Sequence, residues 1–208
     1  MNGVRKTLIV SPDKSLADVL RDQLHMTGTK IGCEQGQCGA CSVILDGKLV
    51  RSCVTNMKRV ADEACVTTGE GIGTQENLRP VQLALVAHGA PQCGFCMPGV
   101  VVSAKALLDK NPDPTRQEVR GWFQAHRNAC RCDGYKPIVD AVMDAAKVIR
   151  GEMPREALEF VLPADGRIWG TAFPRPTAVA KVTGTIDYGA DMGLTAYHSW
   201  CREKDREA

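Results

Sequence analysis

Ten cysteines in 208 residues constrain this chain more than any other feature, because eight of them fall into two sets of four. In a short secreted protein such a count would read as a disulfide framework. This chain is long enough to bury a core of its own. Its apolar start, Thr7–Val10, is too short for a secretory signal. A reducing, cytoplasmic setting makes ligation of a metal or cluster the better reading, and the spacings must then say which. A formal net charge of +2 with no run of Lys and Arg gives no nucleic-acid stripe, and no apolar run approaches a membrane span.

The first set is Cys33, Cys38, Cys41 and Cys53, spaced C-x4-C-x2-C-x11-C. The first three match the plant-type [2Fe–2S] spacing. A four-thiolate cluster is anionic in both redox states, so burying it requires donors aimed at the sulfurs. Gly32, Gly36 and Gly39 let the loop wrap tightly and turn its N–H groups inward. Zinc also takes four thiolates, but usually through paired short knuckles, which this loop is not.

Cys93, Cys96, Cys130 and Cys132 form the second set, C-x2-C followed by C-x-C. Zinc stays open here on spacing alone. Both pairs lie in turns between predicted helices, however, and helix starts at Pro98 and Pro137 would direct positive dipole ends toward an anionic group.

Between these motifs the chain organises itself. Val4–Val10 predicts a strand. Ser15 caps a helix with Leu16, Leu20 and Leu24 on one face. Ser42–Leu45 and Lys48–Cys53 predict a hairpin about Asp46-Gly47, and Ala64–Thr68 a further strand. The Gly69–Gly73 run lacks the spacing of a dinucleotide loop and reads as the connection between domains. Then the period changes to about 3.6: Val81, Ala84, Leu85 and His88; Val101, Ala104 and Leu108 after Pro98; Trp122 and Phe123 after a Thr115–Glu118 capping box; and Ile138, Val142, Ala145 and Ile149 after Pro137. The expected fold class is α+β. It divides into a sheet-bearing domain at 1–76, a helical domain at 77–152 and a proline-rich linker at 153–180. The stretch 181–208 begins like a strand-bearing domain.

Cys33-Glu-Gln-Gly-Gln-Cys-Gly-Ala-Cys41, Gln92-Cys-Gly-Phe-Cys-Met-Pro-Gly99 and Cys130-Arg-Cys-Asp-Gly-Tyr135 together resemble the xanthine oxidase/aldehyde oxidoreductase family of molybdenum hydroxylases. The resemblance covers about residues 4–193. It implies a β-grasp ferredoxin domain, then a four-helix bundle, each with one [2Fe–2S] cluster, the second beside a molybdopterin. Gln92 and Cys132 match pterin-contacting positions, Cys132 being a cluster ligand as well. Asp133 departs from the Thr or Asn common there. Lys181–Tyr188 resembles the opening of the molybdenum domain with no room for a flavin domain before it. This is the arrangement of flavin-free, single-chain aldehyde oxidoreductases of anaerobic bacteria.

The resemblance implies electron transfer in the oxidation of an aldehyde with water to a carboxylic acid. The partners would be a molybdopterin-binding domain or subunit and an external acceptor protein, with no FAD. The alternatives are a freestanding two-cluster carrier, the small subunit of another molybdenum hydroxylase, and a zinc-stabilised interaction module. The resemblance stops near Leu194, and Arg202–Glu207 is wholly charged. The expectation is a truncated or frameshifted product, inactive alone and without catalytic residues of its own, with a natural small subunit as the competing account. Cys65 reads as a buried inert thiol; Cys201 joins neither set. His25, His88, His126 and His198 are scattered singly and read as ordinary surface or core residues.

Overall fold

A computed structural model describes residues 1–191 of the chain; Cys201, His198 and the charged tail lie outside the described residues. The first domain grows from local signals. The Ser15 hydroxyl accepts the Asp18 N–H at 3.1 Å, and the Asp18 carboxylate takes back the Ser15 hydroxyl at 2.7 Å. That capping box starts α1 (Leu16–Asp18), which loosens at once into a π turn over Val19–Gln23. Leu16 and Leu20 from this segment pack with Val43 and Val66 of the sheet.

The sheet has three antiparallel strands, β1 (Ser42–Leu45), β2 (Lys48–Arg51) and β3 (Val66–Thr67), in the order β2-β1-β3. Asp46 and Gly47 both take positive φ, 47° and 76°, as a two-residue hairpin turn of matching twist requires. The predicted strand over Val4–Val10 is absent. Asn2 donates its N–H to the Val66 carbonyl, and its side chain takes the Thr68 N–H at 2.9 Å. Asn2 thus closes that sheet edge, and a turn from Met1 to Val4 leads the chain away, leaving Ile9 fully exposed. Cys65 is a second correction. It stands just before β3 and is exposed, not buried.

Four helices follow: α2 (Pro80–Ala87), α3 (Met97–Lys110), α4 (Arg116–Ala125) and α5 (Tyr135–Ile149). Pro98 lies in the first turn of α3, where its missing N–H costs nothing. The Thr115–Glu118 capping box opens α4 as expected. Pro137 does not start α5; the helix begins two residues earlier, capped by Gly134. Val81, Leu85, Val101, Ala104, Val119, Ile138, Val142 and Ala145 merge into one buried core.

The two domains meet closely where α3 crosses β1. A Cβ on Gly99 would stand 2.4 Å from the Gly39 carbonyl oxygen and 2.8 Å from that of Ala40. Both are backbone atoms of the first cysteine loop and cannot swing aside. Gly99→Ala is therefore expected to lower stability by about 1–3 kcal/mol through overpacking, read as a lower denaturant midpoint.

Beyond α5 the chain is irregular, with Trp169 almost wholly exposed and Leu158 buried. The strand expected from residue 181 is not there either. Ala178–Thr183 forms a helix, α6, ended by Gly184 at φ 78°. Val182 and Thr183 carry β-branched side chains, but Ala178 and Val182, spaced i, i+4, are buried in the helical core. Tertiary burial overrides local propensity here. After α6 the segment returns to the first domain. Asp191 pairs with Lys30 and with Arg21, both at 2.6 Å, and the Lys30 and Asp191 side chains are 1% and 3% exposed. Among the described residues no helix is long and apolar enough to cross a membrane.

Candidate iron–sulfur centres

The hairpin brings the first set together. Cys33, Cys38 and Cys41 lie on the loop entering β1, and Cys53 lies on the short turn Ser52–Val54 leaving β2. Register pairs Ser42 with Arg51, so the strand ends that carry Cys41 and Cys53 are neighbours. The Ser52 N–H and hydroxyl both donate to the Cys41 carbonyl, at 3.2 and 2.7 Å. Gly36 and Gly39, at φ 66° and 68°, supply the tight path. Gly36 also admits Val54, whose methyl carbon would be 3.1 Å from a Cβ there. The Gln37 N–H points at the Cys33 sulfur, 3.2 Å away.

The second set comes from two inter-helix turns. Cys93 and Cys96 lie between α2 and α3, Cys130 and Cys132 between α4 and α5. Cys96 is itself the N-cap of α3. Gly134, the N-cap of α5, donates its N–H to the Cys130 sulfur at 3.3 Å. Two long helices thus begin at this set, directing partial positive charge toward whatever the thiols hold. Cys96 and Cys130 are buried, while Cys93 is exposed and Cys132 half-buried. Gln92 sits at this open end, its side-chain nitrogen facing Gly134.

Within each set the thiols lie close enough to shift one another, most strongly Cys33 with Cys38, Cys41 with Cys53, Cys93 with Cys132, and Cys96 with Cys130. Among the described residues no group of three or more His, Cys, Asp or Glu is placed to hold a single metal ion. Pairs facing pairs are what a binuclear cluster needs, two thiolates to each iron. The thiols also need a cation to ionise together. Burial first, then the neighbouring Cys41, pushes the Cys53 thiol up to about 12. Burial and Cys130 push Cys96 far up. Cys33 differs: desolvation raises it, but the N–H groups of Gln35, Gln37 and Cys38 outweigh that and leave it at about 7. Cys132 is held low, first by hydrogen bonds from Cys93 and then by the charges of Arg175 and Lys181. Coordination would deprotonate all of them. The donor set fits two iron–sulfur clusters.

One contact joins the two sets. The Ala129 N–H donates to the Cys38 carbonyl at 2.9 Å, and Ala129 directly precedes Cys130. Beside it Ser103 holds the Asn128 side chain at 2.8 Å, and Asn128 reaches the Gly39 carbonyl at 3.5 Å. Phe95 fills the space between the loops. A Cβ on Gly32 would lie 3.2 Å from the Cys38 sulfur and 3.3 Å from the Phe95 ring. Spacing could not reveal Ala129, since its partner stands in the other motif. Phe95 was visible only as a member of the C-G-F-C loop.

Comparison with known proteins bears directly on these sets. A family described as "2Fe-2S iron-sulfur cluster binding domain" matches residues 1–68, and one described as "[2Fe-2S] binding domain" matches residues 68–143. The small subunit of nicotine 6-hydroxylase from Paenarthrobacter nicotinovorans is 45% identical over 145 residues, covering 70% of this chain and 86% of that subunit. The aldehyde oxidoreductase of Megalodesulfovibrio gigas is 69% identical over 194 residues, or 93% of this chain. The chain belongs to the xanthine oxidase/aldehyde oxidoreductase family. It is the iron–sulfur portion of such a molybdenum hydroxylase, with two [2Fe–2S]-binding domains and a role in electron transfer. The chain spans 21% of the length of the aldehyde oxidoreductase it matches. The solved structure of the aldehyde oxidoreductase from Desulfovibrio gigas superposes with a TM-score of 0.90, over 93% of this chain and 21% of that one. Membership in this family favours the hydroxylase reading over the freestanding carrier.

Proposed function

We propose that Cys33, Cys38, Cys41 and Cys53 hold one [2Fe–2S] cluster, and Cys93, Cys96, Cys130 and Cys132 the other. On this reading the first domain is a β-grasp ferredoxin and the second a four-helix bundle. The chain carries electrons from a molybdopterin centre, contacted through Gln92 and Cys132, toward an external acceptor protein. The parent reaction is oxidation of an aldehyde with water to a carboxylic acid. Each cluster, when bound, takes up and gives back one electron.

The Cys38–Ala129 hydrogen bond is the observation that carries this reading. A carbonyl of one ligand accepts from the amide beside a ligand of the other set, so this hydrogen bond links the two cysteine sets directly. Gly39 and Gly99 allow the close approach, and Asn128 fixes the loop that presents the amide. The open end at Cys93 and Cys132 lies beside Gln92, where a pterin would meet both. The chain's thiols supply neither a metal-bound oxygen nor the base that hydroxylation needs, so the chain alone oxidises no aldehyde.

Ala129→Pro tests the relay, because proline has no N–H and so removes the donor. The chain is joined to a molybdopterin-binding portion, reduced by aldehyde, and the two clusters are followed by rapid-freeze paramagnetic resonance. The substituted protein should reduce its second cluster at the original rate and its first cluster more slowly. Unchanged reduction of both clusters would count against the contact as the route.

A further inference from the structure

Residues 181–188 lie across the open end of the second cysteine set, and their side chains contact the C-G-F-C loop itself. The Lys181 ammonium donates to the Gln92 carbonyl at 2.7 Å. The Tyr188 hydroxyl donates to the Cys93 carbonyl at 2.8 Å, and its ring meets Phe95 edge-on at 5.5 Å. Gly94, between Cys93 and Cys96, sits directly beneath both. A Cβ on it would come within 2.4 Å of the Lys181 stem and 2.9 Å of the Tyr188 hydroxyl.

This arrangement is held from two sides. Lys181 is carried on α6, whose Ala178 and Val182 are anchored in the core. Tyr188 donates its N–H to the Asp191 carboxylate at 3.0 Å, and the Lys30 ammonium stands 4.8 Å above its ring. Lys181 is therefore a fixed, half-buried cation beside the most exposed cysteine of its set. Arg175, the other cation near Cys132, is exposed, where water and salt screen it.

A four-thiolate cluster gains negative charge when it takes an electron. A cation fixed nearby then stabilises the reduced state more than the oxidised one, and hydrogen bonds and burial around the ligands act on the same equilibrium. We propose that Lys181 is a positioning residue that raises the reduction potential of the second cluster, with Tyr188 holding the Cys93 loop against it. The inference rests on the reading that Cys93, Cys96, Cys130 and Cys132 bind a [2Fe–2S] cluster. It adds a residue outside both cysteine motifs that biases electrons toward the domain next to the molybdopterin.

The test is a dithionite titration of the whole chain with its clusters in place, each followed by its own paramagnetic resonance signal. At a fixed solution potential, Lys181→Met should lower the reduced-to-oxidised ratio of the second cluster roughly tenfold, a downward shift of about 59 mV for a one-electron couple. The first cluster should not move, and Lys181→Arg should restore the original value. Lys181→Gln serves as a second neutral variant should the methionine chain fail to take up its cluster. A neutral variant with both signals at full intensity and an unmoved second cluster overturns the proposal and leaves the cluster assignment standing. An equal shift of both clusters overturns it as well. Absence of a second signal from the unsubstituted chain would remove the cluster reading and the proposal together.

Discussion

Replacing Cys132 by alanine is expected to abolish one of two paramagnetic resonance signals and leave the other at full intensity. Cys132 is paired with Cys93 at the open end of the second set, so its loss leaves one iron with a single protein ligand. The first set draws all four thiols from the hairpin and its entry loop, and none from the helices. Cys53→Ala should give the complementary result, since Cys41 then loses the partner that the β1–β2 register places beside it. The chains are purified anaerobically and reduced with dithionite, and each spectrum is integrated against the protein. Loss of both signals from either substitution would mean that the domains load as a unit. The tight joint at Gly39 and Gly99 would then be the structural reason.

The second large effect is expected at Asp191. Its carboxylate is almost fully buried between Lys30 and Arg21, so Asp191→Ala leaves the Lys30 ammonium, 1% exposed, without a counter-charge. Breaking a buried pair in this way typically costs about 3–5 kcal/mol, a large share of the roughly 5–15 kcal/mol that holds a domain folded. Replacing Lys30 and Asp191 together, Lys30→Met with Asp191→Leu, should recover part of the loss, because the desolvation cost of that buried pair disappears with its attraction. Arg21, 16% exposed, keeps the Thr27 and Thr29 carbonyls.

The pair also makes a pH signature. Desolvation pushes the Asp191 carboxyl up, but hydrogen bonds from Lys30 and then Arg21 outweigh it and hold the group below the usual carboxylate range. A carboxylate depressed on folding contributes stability that is present above its unfolded value near about 3.9. That stability is lost as pH falls through the lower folded value. The acid limb of the unfolding profile should therefore flatten in the double substitution. An Asp191→Ala chain within about 0.5 kcal/mol of the original, the range of ordinary surface changes, would show that the segment after α6 is not anchored there.

What could be read from the sequence was whatever depends on neighbours in the chain. The helix cap at Ser15, the capping box at Thr115, the Asp46-Gly47 turn and the proline in the first turn of α3 all depend on residues within a few positions. The cysteine loops were legible for the same reason, since glycine placement and thiol spacing are local chemistry. The contacts that organise the site are not local. Lys30 and Asp191 lie 161 positions apart, and Tyr188 reaches Cys93 across 95. Ala129 meets Cys38 only because α3 packs across β1.

The misreadings have the same origin. Val182, Thr183, Thr185 and Ile186 carry β-branched side chains, so Lys181–Tyr188 suggested a strand. Burial of Ala178 and Val182 one helical turn apart decided for α6. Val4–Val10 suggested a strand in the same way, but Asn2 already occupied the sheet edge it would have joined.

The central claim is that this chain holds two [2Fe–2S] clusters on eight cysteines, and metal and acid-labile sulfide analysis of the anaerobically purified protein tests it most directly. The account predicts about four iron and four sulfide per chain. Stoichiometric zinc with negligible sulfide would contradict it.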